Sequence, residues 1–352
     1  MTSAVADVEE IEVPEDPAEL AADLARRGLA DGLPVVPPTP ERVEAMLARS
    51  PLPADELMGT MPPADGVVTP RYIAINGVLA GCAPGHMPIL VAAAQALLDP
   101  AFNLFAIQPT TNPVGPLVIV HGPVVDEVGM NAATGCFGPG NYANAVIGRA
   151  VRFLAQNLGR GRPGVTDHAT HGWPGKYTFC AAENTAATPW EPFHVRRGLA
   201  AGDSAVTLFG IQAQHAIINQ TPQDGYEMLH LAARGMAAVG TNNHSLGGEA
   251  LLVLSPEQAL QVAGSGIGCE EAARILFEHA RIDATTLPRR YVDFVANRRP
   301  AWCDPARLPI VDRWEDIQIL VAGGPGIFSL YMPSFGDTRA VTRRIAAVTT
   351  PR

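Results

Sequence analysis

In "PLVIVHGPVVDEVGMNAATGCFGPGNYANAVIGRAVRFLAQN", residues 116–157, an apolar run stops at Gly-Pro, a glycine-rich stretch follows, and helical spacing of apolar residues begins at once. The run is short and apolar at nearly every position, the pattern of a strand covered on both faces. Asn141 stands where a helix N-cap belongs, ahead of the repeat Tyr142–Asn157. Strand, turn and helix in this order predict an α/β unit.

The same order returns further along the chain. "PLVIVHGP" (116–123) is matched by "ALLVLSP" (250–256), and each run is ended by proline. "GCFGPGN" (135–141) is matched by "GSGIGCEE" (264–271), each leading into a helix. "AINGVLAGCAPGHMPILVAAAQALL" (74–98) is matched by "AIINQTPQDGYEMLHLAARGMAA" (216–238), and "KYTFCAAENTAATPWEPF" (176–193) by "IQILVAGGPGIFSLYMPSF" (317–335). "SAVTLFGI" (204–211) is set against "RAVTRRIA" (339–346). The offset stays similar: Asn76 to Asn219 is 219 − 76 = 143, and Pro123 to Pro256 is 256 − 123 = 133. The expectation is two similar α/β modules, 73–210 and 211–352, made by internal duplication and related by a pseudo-twofold axis. Residues 1–72 precede them as an acidic leader, short helices and a loop.

Composition bounds the function. The 352 residues are 47% hydrophobic and 17% charged, a packed globular balance. A net charge of -10 and the lack of a basic stripe argue against nucleic acid. The start has neither a basic nor an apolar targeting segment, and no run is long enough to span a membrane, so a cytoplasmic location is expected. Five widely spaced cysteines without a CxxC fit free thiols in a reducing compartment.

Several residues qualify as a site. Gly138, Gly140, Asn141 and Asn144 surround a helix start, where free N–H groups and the dipole favour an anion, with Arg149 as a supporting charge. No GK[ST] follows this loop and it carries no GxGxxG, so it is neither a Walker loop nor a dinucleotide fingerprint, and the cofactor stays undetermined. Cys136 and Cys82 are candidate thiols. The segment 166–194 is dense in polar groups. Glu183 and Asn184 end an apolar strand, Lys176 precedes it, and Glu191 with His194 can form an acid/base pair or metal ligands. Asn243, His244 and Gly324 are expected to face the same cleft from the second module. Two functions follow. One is an enzyme on a small anionic metabolite, with lyase, hydrolase or reductase chemistry open. The other is a non-catalytic small-molecule binding or assembly subunit, homo-oligomeric or in a complex whose partner carries the thiol or metal.

"DGLPVVPPTPERV" (31–43), "GPGNYANAVIGRAVRFL" (138–154), "PGKYTFCAAEN" (174–184) and "PWEPFHV" (189–195) together resemble an uncharacterised family of bacterial proteins. The resemblance covers nearly the whole chain after the leader, and "GPGNxANxxIGRA" is its most distinctive part. It implies a bacterial enzyme without an assigned substrate and leaves Cys136 outside the pattern.

Overall fold

The computed structural model describes residues 11–221, 223–299 and 306–348. Its main strands are β1 (Gly115–His121), β2 (Cys180–Ala182), β3 (Ala205–Ile211), β4 (His215–Ile218), β5 (Ala250–Leu254), β6 (Ile317–Val321), β7 (Phe328–Pro333) and β8 (Val341–Arg344). They form two four-stranded sheets, ordered β8-β3-β1-β2 and β4-β7-β5-β6. Read from the first strand of each, both sheets run antiparallel, antiparallel, then parallel.

The chain crosses between the sheets twice. β4 follows β3 closely in sequence yet pairs in the second sheet, and β8 returns from the C-terminal half to pair with β3. The match between 204–211 and 339–346 is therefore corrected: these stretches are neighbours, with Thr342 opposite Thr207. The strand that stands beside β5 as β3 stands beside β1 is β7. The likeness of 74–76 to 216–218 also fails locally, because the former lies in a helix and the latter ends a strand.

Helices α1 (Pro17–Arg26), α2 (Pro40–Leu47), α3 (Pro70–Ala80), α4 (Met87–Leu97) and α5 (Tyr142–Asn157) belong to the first half. Helices α6 (Gly225–Met236), α7 (Pro256–Gly264) and α8 (Cys269–His279) belong to the second. The alternation of side chains along each strand sorts them into layers. Val118 and Val120 of β1 pack with α3, α4 and α5, whereas Leu117 and Ile119 face the other sheet. Leu252 and Leu254 of β5 pack with α6, α7 and α8, whereas Leu251 and Val253 face inward. The result is a mixed α/β fold of helices, sheet, sheet and helices with three apolar layers. Among the described residues no single helix is long and apolar enough to cross a membrane.

Candidate functional site

The parity that sends Leu117 and Ile119 between the sheets also sends His121 there, at the C-terminal end of β1. Glu183 directly follows β2, the parallel neighbour, and its N–H continues the ladder to Val120 O at 3.0 Å. His121 Nδ1 lies 2.6 Å from Glu183 Oε2, and His121 Nε2 lies 2.8 Å from Thr207 Oγ1. Thr207 Oγ1 is in turn 2.9 Å from Thr342 Oγ1 on β8. The Phe193 N–H donates to both Glu183 oxygens, at 2.8 and 3.1 Å, which seats the carboxylate at the start of the short helix Phe193–Arg196. The next residue, His194, brings its ring within 5.6 Å of the His121 ring.

These three groups are 0%, 2% and 1% exposed. Both ring nitrogens of His194 are buried without a hydrogen-bond partner. Burial and then the neighbouring His121 hold its pKa below the ordinary value, against Glu183, the Ala201 backbone and Asp203. Sequence reasoning found Glu183 and His194 but missed His121. A single histidine closing an apolar strand, at inward-facing parity, was the available signal.

A separate cavity of about 420 Å³ opens between the two halves. Gly135 to Gly138 form one wall, Ala322 to Gly326 the other, and Gln214, Val253, Ser255, Phe328 and Leu330 complete it. The loops are stitched together by Gly323 N–H to Ala132 O at 2.8 Å and by Asn184 N–H to Val321 O at 2.9 Å. Ser255 caps α7 by accepting from Gln258 N–H, so the positive end of that helix reaches the cavity wall. Gly324 is required by this contact, because a methyl group there would sit 2.0 Å from Thr134 Oγ1. Gly324→Ala is expected to cost about 1–3 kcal/mol through overpacking. Adding Thr134→Ala should restore part of it in urea denaturation; no recovery would show that the two loops do not meet.

Cys136, Gly138 and Gly324 therefore lie where expected, at the cleft. Other assignments need correction. Glu183 and His194 come together but do not line this cavity. The Glu191 side chain is exposed. Arg149 is committed to Asp31, at 2.7 Å to both oxygens, and to Pro34 O and Leu33 O. Lys176 pairs with buried Asp167. Asn141 donates to Gly135 O and Gly138 O, and Asn144 to Asn131 O and Cys136 O, so both tie the loop to itself. Gly140 adopts φ +90 away from the cavity. Asn184 Nδ2 donates to Gly323 O, supporting the wall. Asn243 clasps Gly247 O, Glu249 O and Ser334 N–H. His244 meets Tyr291 Oη at 2.7 Å, and burial and Arg299 push its pKa down to about 4.

Burial disfavours the thiolate at each of the four described cysteines. Burial pushes Cys136 up to about 11, against the Phe137, Cys136 and Gly323 backbone groups, which favour the thiolate. Burial also raises Cys82, Cys180 and Cys269. Cys82 donates to Val146 O and borders a second cavity of about 260 Å³. Cys303 lies outside the described residues. No protein-family model matches the chain, and no curated protein matches it.

Proposed function

We propose that the chain binds a small anionic metabolite in the cavity between the loops Gly135–Gly138 and Ala322–Gly326. The observation that carries this is the meeting of one glycine-rich loop from each half, with the α7 N-terminus in the wall. Among the described residues no cationic side chain lines the cavity, and the chain's net charge of -10 does not attract an anion from afar. Cys136, Gly138, Ala322 and Gly323 spend their N–H groups on backbone carbonyls, and the Ser255 hydroxyl donates to Gly326 O. Recognition therefore rests on the remaining loop N–H groups, Gly324 and Gly326 among them, and on Gln214. The helix dipole contributes about 0.3–1 kcal/mol, and more where water is excluded. Phe137, Val253, Phe328 and Leu330 suit a ligand with an apolar flank beside its carboxylate or phosphate.

The shared pattern of strand directions and the reciprocal placement of β4 and β8 support our reading of the two halves as an internal duplication about a pseudo-twofold axis. The site would then lie between duplicated modules. That origin accounts for a loop from each side.

A thermal-shift screen of small carboxylates and phosphates tests the binding. A ligand at about 100 times its Kd should stabilise the fold by about 2.7 kcal/mol. Leu330→Trp, which fills the cavity, should remove that gain. Equal stabilisation of the variant would place the ligand elsewhere.

One observation favours thiol chemistry as a second reading: Cys136 lines the cavity, and its sulphur lies near the backbone N–H groups of Phe137 and Gly323. Alkylation by iodoacetamide separates the two. With its pKa pushed up to about 11, Cys136 should react about tenfold faster per pH unit between roughly pH 7 and 10. A plateau at or below pH ~8.5, the ordinary thiol value, would show an activated nucleophile and favour the enzyme.

A further inference from the structure

We infer that His121, Glu183 and His194 form a binding site for one divalent transition-metal ion, zinc being the natural occupant. One ligand atom from each lies within 4.8 Å of the others, and all three residues are buried. Two imidazoles and a carboxylate suit zinc or iron(II) and disfavour calcium or magnesium, which take oxygen ligands.

The surroundings resemble a prepared outer shell. The far nitrogen of His121 is fixed by Thr207, itself held by Thr342, leaving Nδ1 directed at the carboxylate. The carboxylate is held by the Phe193 N–H. Such partners orient ligands and set the histidine tautomer. His194 is the remaining element. A buried imidazole with neither nitrogen satisfied is costly, and a bound ion supplies the missing partner.

Zinc at about 2.0–2.1 Å from each ligand needs those atoms roughly 3.3–3.5 Å apart. The short His121–Glu183 contact of 2.6 Å must open as the proton between them leaves, and with all ligand atoms within 4.8 Å of one another no pair needs to close by more than about 1.5 Å. Only the Ala201 backbone approaches the His194 ring as a partner, at a geometry too poor for a full hydrogen bond, so the ring can follow the movement. This site does not depend on the cavity reading, since none of its three residues lines that cavity.

The test uses the full chain, stripped with a chelator and titrated with Co²⁺ and then Zn²⁺. The expected result is one saturable equivalent, a visible cobalt spectrum without thiolate charge transfer, and displacement by zinc. His194→Ala gives up at most a weak approach to the Ala201 backbone and should weaken binding on the order of 100-fold or more, while Thr207→Val, outside the ligand shell, should weaken it about tenfold. Absence of saturable binding, equal affinity in wild type and His194→Ala, or a cobalt–thiolate signature would each overturn the assignment. Glu183→Gln, which removes the charged ligand, should weaken binding as His194→Ala does; should it fail to fold, the His194 variant alone still gives the answer.

Discussion

Replacing Asp167 by alanine is expected to destabilise the protein by about 3–5 kcal/mol, the cost of leaving buried charge without its partner. Asp167 is 5% exposed and holds two cations, Arg152 at 2.9 Å and Lys176 at 2.6 Å. Arg152 also donates to Gln108 Oε1 and Gly161 O, so it cannot swing out to water without breaking those bonds. The loss should depend on pH. Burial lowers the Lys176 pKa from 10.5, and Asp167 opposes that shift. A lysine whose folded pKa lies below its unfolded pKa binds fewer protons when folded. Stability therefore rises with pH between the two values. Without Asp167 this interval reaches to lower pH, and the lysine sheds its proton more readily. Urea denaturation at about pH 7 and about pH 9.5 should show a smaller deficit at the higher pH. A deficit that grows with pH would contradict this account of the triad.

Glu183→Ala is expected to cost about 2–4 kcal/mol, because two buried donors, the Phe193 N–H and the His121 ring, lose their acceptor together. Glu183→Gln keeps an acceptor oxygen and should cost less. A Glu183→Ala variant as stable as one altered at exposed Glu191 would show that the buried cluster is not organised by the carboxylate.

Strands β1 and β5 were readable from the chain because they are continuous apolar runs ended by proline. So was the location of a cleft at glycine-rich loops. The residues that give those motifs their character proved mostly architectural. Arg149 in "IGRA" grips Asp31 in "DGLP", so two distinctive stretches are halves of one clasp. Asn144 in "GPGNYAN" folds the loop before it by bonding Asn131 in both directions. Residue type announced polar importance in each case, but the partner lies 149 − 31 = 118 or 144 − 131 = 13 positions away, and spacing alone does not identify it. His121 was hidden for the same reason. It is 183 − 121 = 62 positions from Glu183, and only the parallel pairing of β1 with β2 brings them together. The exchange of β4 and β8 between sheets was unreadable because each strand's own pattern fits either sheet.

Binding of a small anion between the Gly135–Gly138 and Ala322–Gly326 loops is measured most directly by backbone amide NMR on the deuterated, full-length protein, titrated with the carboxylate or phosphate that gives the largest thermal shift. The account expects the Gly138, Ser255, Gly324 and Gly326 resonances to move together and saturate at one equivalent, and the response to vanish in Leu330→Trp. Shifts confined to the Gly140–Tyr142 helix start, or to residues around His121 and His194, would contradict it.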